Sequence, residues 1–128
     1  MSALHPCVLV VEDEFLIAQG ICLQVEEIGL PVCATVATAE AAVAAAMEHR
    51  PMIVLMDVRL QGLGDGVDAA LAIHEHVGSK VIFVTGSREP ATLERIHQDH
   101  PAGLLFKPVS ERQLRNALEA VGATWAAA

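Results

Sequence analysis

The sequence predicts an α/β protein built as a doubly wound parallel sheet with helices on both faces. Three observations carry that expectation. Short apolar runs recur five times along 128 residues. Each run is continuously apolar rather than alternating, the pattern of strands covered on both sides. A longer stretch with helical spacing follows each run, as in βα units repeated along one sheet.

The first predicted strand, Cys7–Val11, leads into a helix over about 14–28 that sets Ile17, Ile21, Val25 and Ile28 on one stripe and stops at Gly29. The second, Val32–Ala37, precedes an alanine-rich helix from Ala39 to His49, with Thr38 as its cap and Pro51 marking its end. The third, Met52–Met56, precedes a helix that begins near Asp65, where Asp68 three residues on completes a cap-like pair. The fourth, Val81–Val84, is followed by a helix from Pro90 to Gln98. The fifth, Gly103–Phe106, is followed by a helix capped by Ser110, with Leu114, Ala117, Leu118 and Val121 on one face.

With no linker or low-complexity segment, residues 1–128 read as a single domain. The tail Ala126-Ala127-Ala128 is expected to fray or to mark where a longer chain was cut. A net charge of −8 without any Lys/Arg cluster argues against direct contact with nucleic acid or anionic lipid. Three Phe and one Trp are too few for a base-stacking platform. No segment reaches the roughly 18 consecutive apolar residues of a membrane span. The opening Met1-Ser2-Ala3-Leu4-His5-Pro6 lacks the regions of a signal peptide, so a cytoplasmic location is expected. Cys7, Cys22 and Cys33 lack metal or disulfide spacing and read as small buried hydrophobes in a reducing compartment. The six histidines read as solvated surface groups, and Arg88 and Arg95 as ordinary solubilising residues first, with a part in shaping the responding surface as the alternative.

The chemistry gathers at the strand ends. The first strand stops at Glu12-Asp13, the third at Asp57, the fourth at Thr85 and the fifth at Lys107-Pro108. In doubly wound sheets ligands sit outside the carboxyl ends of the strands, where the strand order reverses. In the five-stranded version, order 2-1-3-4-5 (flavodoxin-like), the first and third strands flank that point. Glu12, Asp13 and Asp57 would then crowd together, repel one another and raise each other's pKa. A hard divalent cation relieves this, and Mg2+ fits best. The carbonyl of Arg59, two residues past Asp57, is a candidate fourth donor. Gly62, Gly64 and Gly66 lack the Lys-Ser/Thr of a phosphate-binding P-loop and read as a mobile loop. Asp65 and Asp68 read as a helix cap rather than calcium ligands.

Four motifs in this order, Val-Val-Glu12-Asp13-Glu, Leu-Met-Asp57-Val-Arg-Leu, Val-Thr85-Gly and Phe-Lys107-Pro108, resemble those of response-regulator receiver domains of two-component signalling. The resemblance runs from Cys7 to about Val121. It implies that Asp57 accepts a phosphoryl group from a histidine kinase or a histidine phosphotransfer protein. It further implies that Asp13 binds Mg2+ directly and Glu12 directly or through water, that Thr85 donates its hydroxyl to a phosphoryl oxygen, and that Lys107 pairs with another. A cis bond before Pro108 is expected on the same ground. Such a protein is a switch rather than a turnover enzyme. Its downstream partner is expected on the face built from 89–98, 104–106 and 113–119.

Departures from the family pattern are visible. The place three residues before Lys107, usually Tyr or Phe, holds Leu104; Phe83 and Phe106 sit where core packing is expected. Phe83-Val-Thr85-Gly86 is similar to a Phe-Ala-Thr-Gly signature of a receiver subgroup that also lacks the usual aromatic.

Two rival functions share these residues. A Mg2+-dependent phosphohydrolase with an aspartyl nucleophile, of haloacid-dehalogenase type, needs a second aspartate where Arg59 stands. A silent interaction module of the same fold has no use for intact Glu12, Asp13, Asp57, Thr85 and Lys107. A flavin carrier would want more aromatics than this chain has.

Overall fold

The computed structural model describes residues 3–62 and 64–127, with side-chain surroundings through residue 122. The strands are β1 (His5–Val11), β2 (Val32–Val36), β3 (Pro51–Met56), β4 (Lys80–Thr85) and β5 (Gly103–Phe106). The helices are α1 (Phe15–Ile28), α2 (Ala39–His49), α3 (Gly66–His76), α4 (Pro90–Gln98) and α5 (Glu111–Ala127). All strands run parallel, in the order β2-β1-β3-β4-β5. The expected architecture and strand order are therefore observed.

Several boundaries move. β1 begins two residues before Cys7, and β4 gains Lys80 and Thr85. Pro51 opens β3 rather than closing α2, because Arg50 has already turned the chain in the left-handed region (φ 47°). Proline at a strand's first residue gives up no needed N–H. Of the expected tail, Ala126 and Ala127 belong to α5 and Ala128 lies outside the described residues.

The continuous apolar runs are explained by two cores, one on each face. Val8, Val10, Ile53, Leu55, Ile82 and Val84 face α1 and α5, meeting Val25, Leu114 and Leu118. The alternate residues, Leu9, Val11, Val54, Met56, Val81 and Phe83, face the other helices, meeting Ala42, Ala46, Ala70, Ile73 and Ile96. A period-2 strand shows its side chains to both faces in turn, so burial of both removes every polar position. The expected helix stripes are the buried ones, and Gly29 ends α1 at φ 102°. The three cysteines are half-buried rather than fully buried. Burial, and then the neighbouring Cys7 thiol, push the Cys33 thiol up to about 12.

Capping follows the sequence signals. Thr38 accepts from the Ala41 N–H at 3.0 Å. Asp65 accepts from the N–H groups of Val67 and Asp68, and Asp68 returns a bond from the Asp65 N–H, closing a capping box. Ser110 and Gln113 make the same reciprocal pair at the start of α5.

Gly66 belongs to α3 rather than to a mobile loop, and it fixes where that helix starts. Its N–H donates to the Val58 carbonyl at 2.7 Å. A Cβ here would lie 1.8 Å from the Asp57 carbonyl oxygen. Only a residue without a side chain lets the helix sit against the main chain of Asp57. Gly62 and Gly64, at φ 83° and 79°, supply the left-handed turns that lead there. Gly66→Ala is expected to lower unfolding free energy by roughly 3 kcal/mol, the upper end of the cost of forcing atoms into closed space. Urea denaturation measures this.

Candidate functional site

The site is set by the ends of β1 and β3, neighbours in the sheet. Val11 pairs with Met56, so Glu12 and Asp57 leave the sheet side by side. The Asp57 N–H donates to the Val11 carbonyl at 3.0 Å, and the Glu12 N–H to the Val36 carbonyl at 2.9 Å. Main-chain bonds thus hold both carboxylates at the carboxyl edge of the sheet, where the strand order reverses.

One ligand atom each from Glu12, Asp13 and Asp57 lies within 4.8 Å of the others. Glu12 is 3% exposed and Asp57 6%. Burial first, then the hydrogen bond and charge of Glu12, hold the Asp13 carboxyl above its ordinary value of 3.8. The expected mutual repulsion is thus visible at Asp13.

Lys107 is the cation that offsets this crowding. Its ammonium stands 2.5 Å from Glu12 Oε1 and 3.0 Å from Asp57 Oδ2. Burial pulls the Lys107 pKa down, but bonds to Glu12 and Asp57 outweigh this and raise it. The buried Glu12 Oε1 is thus ion-paired with Lys107. Three carboxylates this close, with one ammonium shared between two of them, are a donor set for a hard divalent cation.

β4 and β5 bring the remaining groups. Thr85 pairs with Phe106, and the Lys107 N–H donates to the Thr85 carbonyl at 2.9 Å. The bond between Lys107 and Pro108 is cis, as expected. Thr85, 1% exposed, accepts from the Ser87 N–H at 3.0 Å through its hydroxyl oxygen. Its own O–H finds no acceptor among the described residues and is free to donate. Asp57, Thr85 and Lys107 line one open cleft of about 450 Å3, with Arg59, Arg88 and Glu89 on its walls. All five strand-end side chains named from the sequence are therefore brought together. Arg59 reaches the cleft wall, and its guanidinium donates to Glu89 at 3.3 Å.

Three features escaped the sequence reading. Arg88 and Arg95 are not merely solubilising: Arg88 lies 4.0 Å above the Phe106 ring, and Arg95 donates twice to Asp65, at 2.7 and 3.2 Å. Phe106 is half-buried under that arginine, whereas Phe83 is in the core as expected. An apolar groove lined by Ile17, Ile21, Val84, Pro108 and Val109 adjoins Lys107. Phe15 and Leu16, just before the groove residue Ile17, begin α1 with 72% and 82% of their surface exposed. No motif announces these contacts, since each joins residues far apart in the chain.

The sequence model of the response regulator receiver domain matches residues 8–119. The chain is 32% identical over 115 residues to response regulator GacA of Pseudomonas protegens, covering 89% of this chain and 54% of that protein. It thus spans about half the length of the curated relatives it matches. Among solved structures, a signal receiver domain of a modulated diguanylate cyclase from Desulfovibrio desulfuricans G20 superposes with a TM-score of 0.87. That domain is 34% identical, with 96% of this chain and 98% of that one covered. A CheY-like receiver domain protein from Methanospirillum hungatei JF-1 shares the fold, with a TM-score of 0.86, 23% identity, and 98% and 100% covered.

The raised Asp13 carboxyl ties the stability of the site to pH. Its pKa is raised in the fold, so its contribution to stability is greatest at low pH and is lost as pH rises through the raised value. Cation binding needs the ionised form, so Mg2+ affinity should fall as pH is lowered toward that range. Asp13→Asn should raise Tm by a few degrees in metal-free buffer at pH 7.5, and a rise in Tm on adding Mg2+ is expected in the unmodified protein but not in the variant. Thermal melts at two pH values, with and without Mg2+, measure both effects.

Proposed function

The chain belongs to the response regulator receiver domain family, and from the geometry of its site we propose that it is a phosphorylatable switch whose acceptor is Asp57. The observation that carries this reading is the meeting of Glu12, Asp13 and Asp57 within 4.8 Å, with Lys107 3.0 Å from the acceptor carboxylate. Its burial, its ammonium partner and the open cleft beside it support a nucleophilic rather than a structural role for Asp57.

Glu12, Asp13 and Asp57, with the Arg59 carbonyl, would hold Mg2+, which supplies charge neutralisation for the incoming phosphoryl oxygens. The chain's own residues do the rest. An Asp57 oxygen attacks phosphorus in line as the phosphorus–nitrogen bond to the donor's histidine breaks. The electron pair returns to the imidazole. Lys107 stays within reach of Asp57 and pairs with a phosphoryl oxygen. Thr85 donates its free O–H to another, and the loop after β4 moves with it because Ser87 is bonded to the same hydroxyl. Water later hydrolyses the acyl phosphate and restores the carboxylate. The phosphohydrolase alternative lacks a carboxylate at Arg59 to act as the general acid.

The donor is a histidine kinase or a histidine phosphotransfer protein. It would seat on the apolar groove beside Lys107 and on exposed Phe15 and Leu16, which precede the groove residue Ile17 at the start of α1. The downstream protein partner would read the α4–β5–α5 face, which carries the loop after β4 and Phe106. The role of a whole regulator containing this chain follows from whatever reads that face.

Two tests follow. Incubation with Mg2+ and acetyl phosphate should add one acid-labile phosphoryl group by intact mass, and Asp57→Asn should abolish it; an undiminished adduct in the variant would contradict the assignment. Leu16→Asp should slow transfer from a phosphorylated kinase about tenfold, a loss typical of one buried apolar anchor, while leaving acetyl phosphate labelling unchanged. Equal slowing by both routes would mean that α1 shapes the site instead of the docking.

A further inference from the structure

We infer that Arg88 is a second phosphoryl-binding cation that rests on Phe106 and transfers to the phosphoryl group when Asp57 is modified, uncovering the Phe106 ring. The inference rests on the phosphorylation reading above and adds to it a residue and a readout.

The cleft that holds Asp57 is lined by three cationic side chains, Lys107, Arg59 and Arg88. Two of them already have carboxylate partners. Lys107 is paired with Glu12 and Asp57, and Arg59 with Glu89. Arg88 has no carboxylate partner among the described residues; its guanidinium lies 4.0 Å from the centre of the Phe106 ring. A cation over an aromatic face at an exposed site is weakly held. Bidentate pairing of a guanidinium with a phosphoryl dianion is a far stronger, charge-assisted contact. The weaker contact should therefore yield to the stronger once a dianion appears in the same cleft.

The local chain favours the exchange. Arg88 lies three residues past Thr85, in the loop whose Ser87 N–H is bonded to the Thr85 hydroxyl. Phe106 is the sheet partner of Thr85 and immediately precedes Lys107. Phe106 is thus one step from Thr85 and Lys107, and Arg88 is joined to Thr85 through its neighbour Ser87. Leu104, which packs against the alanine-rich core, offers no ring that could swing in their place. Phe106 is half-buried beneath Arg88, so the arginine's departure adds apolar surface to the α4–β5–α5 face.

Pairing with Arg88 should lengthen the phosphoryl state. A guanidinium seated on the phosphoryl oxygens stands in the open cleft through which water must reach phosphorus in line, so its pairing hinders hydrolysis. The test is the decay of the acetyl-phosphate-loaded full chain, followed by intact mass, in wild type, Arg88→Gln, Arg88→Lys and Phe106→Leu. Arg88→Gln should load at Asp57 but decay roughly three- to tenfold faster, the loss expected for one charge-assisted contact. Arg88→Lys should recover part of the lifetime, and Phe106→Leu, which removes only the resting place, should keep at least the wild-type value. The Phe106 ring proton signals should shift on loading in wild type and already sit near the loaded position in unloaded Arg88→Gln. Normal loading with an unaltered lifetime in Arg88→Gln, or ring signals indifferent to loading, would overturn the inference and leave the switch assignment standing. Absence of any adduct in wild type would remove both.

Discussion

Lys107 against Glu12 and Asp57 is the interaction around which the carboxyl edge of the sheet is organised. Three carboxylates from two adjacent strand ends cannot share so small a volume without an opposing charge. The ammonium supplies it at 2.5 and 3.0 Å, and main-chain pairing of Lys107 with Thr85 fixes the end of β5 from which it reaches. That arrangement leaves Asp13 least relieved, with its carboxyl held above the ordinary range mainly by burial. The negative charge left uncompensated at the resting site is what a bound hard cation would relieve.

Much of this was legible before any coordinates. Apolar runs that end in Glu12-Asp13, Asp57, Thr85 and Lys107 announce polar groups at strand ends, and a parallel sheet puts all strand ends on one edge. Ala39–His49 and the Thr38 cap were readable because caps and periodicity act over four residues. Gly66 was misread as part of a loose loop because its reason for being glycine is the Asp57 carbonyl, nine positions earlier and invisible to local pattern. Arg88 on Phe106 and Arg95 on Asp65 were missed on the same ground: each partner is supplied by another element, 18 and 30 residues away.

The Arg95 contacts give α4 a second attachment. Its guanidinium holds Asp65 and reaches Asp68 at 3.4 Å, and these two residues build the capping box of α3. Hydrogen bonding from Arg95, against the opposing effect of burial, brings the Asp65 carboxyl below its ordinary value. At the other end of α4, Glu89 pairs with Arg59. Both ties run from α4 to the segment just after Asp57. The helix of the proposed partner face is thus joined to Asp57 through that segment as well as through the loop that follows Thr85.

The tight seat of Gly66 has a consequence for how the acceptor behaves under load. With its carbonyl backed by the start of α3 and its amide bonded to Val11, the main chain of Asp57 has nowhere to retreat. A proposed acceptor so seated would act as an anvil: bulk added to its carboxylate cannot be absorbed beneath it. Displacement must pass outward, into the neighbouring loop, which is how a rigid seat turns a small chemical change into motion elsewhere.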